Sequence, residues 1–287
     1  MLRKSWKVTC FQLKQNLYSV RVLLLFALMS IFVFATIRPV NDFARAYGIG
    51  ITPWAFPLIT NDYICQLVIM AGAVLLFCNA PFESDIHTYI LPRSGNTSWA
   101  AGNCLYVLLM SFCYILLITV ISFVAILPNL EFSIKWGKAW NSFSSGGFRS
   151  QYQIALQVKS YITGAYQPLN AFVLSFLLEW ACCVFLGLVS YWLNQLTGTL
   201  IGSIVSTAFV LLDITVANEW SPWFYHISPV TMAQLSALAS VRSLHGLTLS
   251  YAVNFFAITI PVFVVLNIFT IHAKSTGLLN RKAAHHE

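Results

Sequence analysis

Charged residues are scarce in this 287-residue chain: Lys, Arg, Asp and Glu make up 9% of it, whereas hydrophobic residues make up 58%. Globular domains in water contain about 25% charged residues, which solvate the surface that folding leaves exposed. So few charges leave a folded chain of this length without a soluble surface. The composition excludes a cytosolic enzyme, a DNA-binding module and a secreted disulfide scaffold, and it indicates that lipid surrounds most of the chain.

Motifs for nucleotide, metal and redox chemistry are missing as well. The chain contains no G-x-x-x-x-G-K-[ST] phosphate loop, no H-E-x-x-H and no G-x-S-x-G. None of its seven cysteines forms a C-x-x-C pair, and nearly all of them lie in or beside apolar runs, so we interpret them as small packing residues. We therefore expect no metal site, no catalytic residues and no cofactor on this chain.

The net charge of +7 does not form the kind of patch that binds nucleic acid. The 16 Lys and Arg residues are distributed along the chain and avoid the apolar runs. This distribution is typical of a membrane protein whose spans are oriented by flanking charges. We therefore expect the lipid bilayer, and no nucleic acid, as a partner.

Six long windows are nearly free of charge, and each approaches the 20 apolar residues that cross a bilayer core of about 30 Å. Helices are expected in these windows, because lipid cannot satisfy an open strand edge and the windows lack alternation. The predicted spans are residues 20–37, a run between 62 and 83, 104–127, 169–193, 197–217 and 249–271. The sequence therefore predicts an all-α membrane protein with six transmembrane helices, in a single transmembrane domain over residues 1–287.

The distribution of Lys and Arg between the spans predicts the orientation. The side that holds both termini contains nine of these residues, and the other side contains seven. Positive loops stay in the cytoplasm, and the dense cluster beside the first span, which includes Arg3, Lys4 and Lys7, usually dominates. We expect a multi-pass protein of the bacterial cell membrane with both termini in the cytoplasm.

Residues 1–19 are predicted to form a helix in the cytoplasmic interface, with a frayed basic tail as the alternative. The apolar side chains of residues 2–17 fall on one helical stripe, and Lys4, Lys7 and Lys14 lie off it. The stripe consists of Leu2, Trp6, Cys10, Leu13 and Leu17.

Two longer connections are expected outside the cell. The connection over 128–168 contains a predicted exposed turn at 141–147 and a predicted short helix at 151–161. The segment 218–248 is apolar but interrupted by Pro222 and Pro229, which favours re-entrant or interfacial helices before the last span. Its aromatic residues suited to headgroup depth are Trp220, Trp223, Phe224 and Tyr225.

The stretch over 81–95, PFESDIHTYILPRSG, is the most informative part of the predicted cytoplasmic face. Pro81 suits a first helical turn, and Glu83 and Asp85 lie where the helix dipole favours anions. Pro92 and Gly95 then end the helix. We expect a short helix that lies across the cytoplasmic face, with an ordinary polar loop as the alternative.

With these features the chain resembles the membrane subunit, or permease, of type-2 ABC transporters, which include many bacterial exporters. The resemblance rests on an amphipathic start, six spans, an acid-led helix with an LPRSG turn after the second span, and an aromatic, proline-interrupted segment before the sixth. It covers nearly the whole chain as a pattern, and only 81–95 has sequence-level specificity. The long connection over 128–168 departs from a minimal family member.

The resemblance implies that residues 81–97 form a coupling helix that docks on a separate ATPase subunit. The residues assigned to this contact are Pro81, Phe82, Glu83, Asp85, His87, Tyr89 and Arg93. It also implies an exporter with two ATPase subunits, which carry the ATP and magnesium, and a second permease copy in a homo- or heterodimer.

Two carboxylates lie inside predicted spans, Glu179 near the middle of the fourth and Asp213 near the outer end of the fifth. An acid at mid-membrane costs about 2.5–3.5 kcal/mol on insertion scales, so each needs a partner, a proton or water. Either these acids line the translocation path and meet the cargo, or they hold helices together as protonated or hydrogen-bonded groups. Asn254 and Asn267 are expected to form hydrogen bonds between helices.

Two other functions stay open on the residues alone. An ATP-independent transporter or channel predicts repeated halves or matched Gly/Pro-broken spans, and no such repeat is evident. A membrane-embedded enzyme predicts paired catalytic groups at membrane depth, whereas His226, His245 and His272 are scattered. The aromatic spans favour an amphipathic or hydrophobic cargo, such as a peptide.

Overall fold

The computed structural model describes residues 2–82, 95–144, 156–218, 220–221, 223–238 and 247–275. Within these ranges the chain is predominantly helical, no strand is present, and one isolated parallel bridge joins Ile51 to Leu130. The helices are α1 (Leu2–Leu17), α2 (Val20–Tyr47), α3 (Ala55–Ile59), α4 (Tyr63–Phe77), α5 (Asn96–Ile126), α6 (Gly137–Ser144), α7 (Ser160–Ala165), α8 (Pro168–Thr197), α9 (Ile201–Ala217), α10 (Trp223–Ile227), α11 (Pro229–Ala233), α12 (Leu235–Leu238) and α13 (Leu249–Ser275).

Among the described residues, four helices are long and apolar enough to cross a membrane: α2, α5, α8 and α13. The helices α4 and α9 are apolar but contain only 15 and 17 residues. At 1.5 Å per residue they measure about 22 and 25 Å, against about 30 Å for a bilayer core. The predicted all-α class is therefore confirmed, and four of the six predicted spans coincide with helices of spanning length.

Several helices extend beyond the windows that hydropathy marks. The first predicted span ends at residue 37, whereas α2 continues through Pro39 to Tyr47. Gly48, whose φ is 61°, caps the end of this helix. The third predicted span begins at residue 104, whereas α5 begins at Asn96. Hydropathy locates the apolar part of a helix, and the helix itself continues into polar residues at either end.

The most buried of the four long helices is α8. In its most apolar 18-residue window 61% of the residues are buried, compared with 17% in α13. It packs against α4, α5, α9 and α13. Small side chains on α8 let these neighbouring helices approach closely, because they leave its backbone accessible to packing. The buried small residues of α8 include Cys182, Cys183, Gly187 and Ser190.

The first helix, α1, packs against α5 through its more polar side. Its buried residues are Ser5, Val8, Thr9 and Gln12. The Thr9 hydroxyl donates a hydrogen bond to the carbonyl of Gly102 at 2.9 Å. Most of the predicted apolar stripe faces away from the bundle, with Leu2 85% and Trp6 55% exposed, whereas Leu13 is partly buried against the core. The helix expected over 1–19 is thus present, and its apolar side is free to contact lipid.

The connection after α5 is packed tightly at the end of the bundle opposite α1. Trp140 and Phe143 on α6 are buried, and the Trp140 ring nitrogen donates to the carbonyl of Thr52 at 3.2 Å. The turn predicted at 141–147 is wrong for residues 141–144, which belong to α6. Burial of the two aromatic rings outweighs the turn preference of the Asn and Ser residues there. Of the helix predicted at 151–161, residues 156–159 are not helical and α7 begins at Ser160, while residues 145–155 lie outside the described ranges.

In the proline-interrupted segment after α9, the residues that the structure describes include three short helices, α10 to α12. Pro229 begins α11 and, with the rest of that helix, is buried. Trp220 and Trp223 are 73% and 76% exposed, so these two aromatic rings are available to an interface. Whether the segment re-enters a membrane stays a prediction.

We predict that Gly187→Ala will destabilise the bundle. A Cβ at this position would lie 2.6 Å from Val107 Cγ1 and 2.8 Å from the Phe77 ring, closer than side chains pack. Forcing α4 or α5 aside costs about 1–3 kcal/mol, which thermal unfolding in detergent would detect.

Gly164→Ala is the matched control for this substitution. Gly164 lies on α7, and a Cβ there meets no atom within 4 Å. We expect a neutral or slightly stabilising effect, at most about 1 kcal/mol. Equal unfolding temperatures for the two variants would contradict the close approach at Gly187.

Candidate functional site

Three consecutive carbonyl oxygens, those of residues 80–82, each accept a hydrogen bond from a side-chain amide of a different helix. The bonds run from Gln12 Nε2 to Phe82 O (3.1 Å), from Asn103 Nδ2 to Pro81 O (3.5 Å) and from Asn194 Nδ2 to Ala80 O (3.0 Å). We call this arrangement the amide clamp. The clamp attaches residues 80–82, which follow α4, to three helices at once: α1, α5 and α8.

The amides of the clamp are buried, and two of them are linked to each other. Gln12, Asn103 and Asn194 are each no more than 1% exposed. Gln12 Nε2 also lies 3.3 Å from Asn103 Oδ1, and Asn103 Nδ2 lies 3.2 Å from the Tyr191 hydroxyl. Asn194 Oδ1 accepts from the backbone N–H of Gly202 at 2.7 Å, so the clamp also includes the first turn of α9.

Phe82 is fixed by its ring as well as by its carbonyl. The ring is 5% exposed and packs against Tyr106 at 4.9 Å and Tyr191 at 5.8 Å between centroids. Its φ of 62° lies in the left-handed region, which a bulky residue rarely adopts. Such a conformation persists only where surrounding contacts determine it. The chain therefore enters the segment 83–94 from a well-determined position.

The structure places two of the seven predicted ATPase-contact residues, Pro81 and Phe82, and both belong to the clamp. The other five lie in the segment 83–94, outside the described residues. Their contact with an ATPase stays a prediction; they are Glu83, Asp85, His87, Tyr89 and Arg93.

Glu179 is fully buried on α8 and forms a pair with Gln66 on α4. The Gln66 amide donates from Nε2 to Glu179 Oε2 at 3.0 Å. Both side chains face the interior of a single chain, so the pair joins two helices. As a candidate for the translocation path, Glu179 would have to leave this partner before it met a cargo.

Asp213 on α9 is also buried, with 2% exposure. It accepts hydrogen bonds from the Thr231 hydroxyl at 2.7 Å and from Gln234 Nε2 at 2.9 Å. Both donors belong to the segment around α11. The second translocation candidate thus attaches the short helices before the last span to α9.

Asp62 and Lys159 connect the same end of the bundle to the long connection after α5. Asp62 caps α4 by accepting from the backbone N–H groups of Ile64 and Cys65, and its other oxygen accepts from the N–H of Gln157 at 2.9 Å. The Lys159 ammonium donates to the Ser236 hydroxyl at 3.3 Å. Burial lowers the pKa of this ammonium below its usual value, and the carboxylates of Asp62 and Asp213 oppose that shift.

Sequence reasoning missed the residues that partner these groups. Asn267 does form the predicted contact between helices, donating to the Leu188 carbonyl at 3.3 Å, whereas Asn254 is exposed on α13. The clamp amides and Gln66 were not predicted. The available signal was an Asn or Gln in or beside an apolar run, where a side-chain amide must find a partner within the protein.

A groove of about 390 Å³ lies between α8 and α13 and is lined entirely by apolar side chains, including Leu177, Ala181, Phe256 and Pro261. Among the described residues, no three His, Cys, Asp or Glu side chains are grouped as metal ligands would be. The described chemistry is thus that of amide and carboxyl hydrogen bonds inside an apolar bundle.

Comparisons with family models, with curated proteins and with solved structures find no match for this chain. The fold and the buried polar clusters define an all-helical protein with several helices of membrane-spanning length.

We predict that Asn194→Ala will weaken the protein through the clamp. The substitution leaves the Ala80 carbonyl and the Gly202 N–H unpaired in a buried position, and each unpaired group costs about 1–3 kcal/mol. Thermal unfolding in detergent should show a clear decrease in the midpoint.

Asn218→Ala is the control with the same change of side chain. Asn218 is exposed at the end of α9 and donates only to Ile214 of its own helix. We expect little change in the unfolding midpoint. A midpoint for Asn194→Ala as high as that of the control would mean that the clamp does not stabilise the bundle.

Proposed function

We propose that this chain is the membrane-spanning permease subunit of an ATP-driven exporter and works with a separate ATPase subunit. The observation that carries the proposal is the amide clamp, which fixes residues 80–82 directly before the segment 83–94. A helix that transmits force from an ATPase must be connected rigidly to the bundle that it moves. The clamp supplies such a connection to four helices at once.

In this proposal six helices cross the bacterial cell membrane: α2, α4, α5, α8, α9 and α13. The short α4 is extended at its start by α3, so that residues Ala55 to Phe77 traverse the bundle with a break at Asp62. The α1 helix lies in the cytoplasmic interface, with Leu2 and Trp6 in contact with lipid. Both termini and the segment 83–94 are cytoplasmic, and the segment 218–248 forms the outer re-entrant structure.

The partners in this proposal are two ATPase subunits, which bind ATP and magnesium, and a second permease copy of the same or a related sequence. The cargo is amphipathic or hydrophobic, such as a peptide. The apolar groove between α8 and α13 supports this class of cargo, because none of the side chains that line it has a hydrogen-bonding group.

The two buried acids have a conditional role in transport. Glu179 reaches a cargo only if α8 separates from α4, because its partner Gln66 lies on α4. Asp213 reaches a cargo only if α9 separates from α11, because its partner Thr231 lies on α11. Exposure of these acids during transport is therefore part of the proposal.

We predict that the double variant Glu83→Gln, Asp85→Asn will lose its ATPase partner. In the proposed interface these two acids carry the negative charge of the coupling helix, and their loss removes charge-assisted contacts. The measurement is ATP hydrolysis and the amount of a P-loop ATPase that copurifies with the chain in mild detergent. We expect a decrease of at least several-fold in both at equal permease yield.

The control is the double variant Asp42→Asn, Glu131→Gln, which removes the same charge from exposed acids at the opposite end of the bundle. It should retain the ATPase. If both double variants retain it equally, the coupling role of 83–94 is wrong. If no ATPase accompanies the parent chain, the permease proposal is wrong.

A further inference from the structure

The pair formed by Glu179 and Gln66 lacks one hydrogen atom for complete pairing. Gln66 donates to Glu179 Oε2, but the remaining oxygens, Glu179 Oε1 and Gln66 Oε1, have no hydrogen-bond partner among the described residues. Both oxygens are acceptors, both are buried, and they belong to the two groups that the 3.0 Å bond already joins. A proton on one of these two oxygens would supply the donor that the pair lacks.

An ionised Glu179 has little to stabilise it. Among the described residues no Lys or Arg forms an ion pair with this carboxylate, and one neutral amide is its hydrogen-bond donor. A buried charge without a cationic partner costs several kcal/mol, whereas the neutral acid needs only hydrogen bonds.

The ionisable side chains that interact with Glu179 do not supply the missing donor. Glu179 interacts electrostatically with Asp213 on α9, and its own charge acts on Tyr114 on α5 and on Cys182 and Cys183 on α8. The Tyr114 hydroxyl donates its proton to the Ile69 carbonyl at 2.8 Å. Asp213 supplies no donor either, because both of its carboxylate oxygens accept hydrogen bonds, from Thr231 and Gln234.

We infer that Glu179 is a proton-binding site: its carboxyl group is protonated at neutral pH and donates from Oε1 to Gln66 Oε1. Together with the bond from Gln66 Nε2 to Glu179 Oε2, this closes a ring of two hydrogen bonds between an acid and an amide. The bound proton holds α4 against α8. Its loss would leave an unpaired charge between the two helices and favour their separation.

Infrared spectroscopy of the full chain in lipid vesicles at neutral pH tests this inference. A protonated carboxyl group has a C=O stretching band that a carboxylate lacks. We expect Glu179→Gln to lose one protonated-acid band while its carboxylate bands stay unchanged. In this variant the new amide offers Gln66 an N–H donor in place of the acid O–H, and it retains a C=O acceptor. The ring of two hydrogen bonds and the fold should therefore persist. Loss of carboxylate absorption instead would overturn the inference.

Glu131→Gln is the matched control, because Glu131 is an exposed acid in the connection that follows α5. Its spectrum should lose carboxylate absorption and keep every protonated-acid band.

Gln66→Leu gives a second, independent readout that does not require replacement of the acid. The Glu179 carbonyl would lose its hydrogen-bond donor, and the protonated-acid band should shift to higher frequency. An unshifted band would overturn the pairing with Gln66. These outcomes do not depend on an ATPase partner, so they are separate from the test of the permease proposal.

Discussion

A polar group in an apolar environment must find its partner within the protein, and this constraint determines where the helices of this chain meet. Lipid offers no hydrogen bonds, and a buried group left without one costs several kcal/mol. The amides of Gln12, Asn103 and Asn194 therefore point inward to the carbonyls of residues 80–82. The bundle is held at specific points by side-chain amides, and apolar packing fills the space between them.

The same constraint explains the orientation of α1. In water an amphipathic helix turns its apolar stripe toward the core. Here the core already lies among apolar helices, so the polar side gains more by turning inward, where Thr9 meets the Gly102 carbonyl and Gln12 joins the clamp. Leu2, Trp6 and Leu17 of the stripe remain outside, and Leu13 is partly buried against the core. The stripe was predictable from spacing, but its direction depends on the solvent.

The all-α class and four of the six predicted spans were predictable because scarcity of charge is a property of each window by itself. The contacts between these windows were harder to predict from the sequence. Nothing near Glu179 in the chain indicates that Gln66, more than one hundred positions earlier, is its partner. The helix over 141–144 was missed for a related reason: Trp140 and Phe143 bury their rings against another connection, which local turn preference does not record.

The helix α4 shows how the two ends of the bundle are connected. Asp62 caps its first turn and binds the long connection, and Gln66 attaches it to Glu179 one turn further on. At its other end the chain enters the clamp through residues 80–82. In the proposed permease, a force that displaces residues 80–82 would move α8 with α4 or break the pair at Glu179, and packed contacts of this kind are one way in which distant sites are coupled.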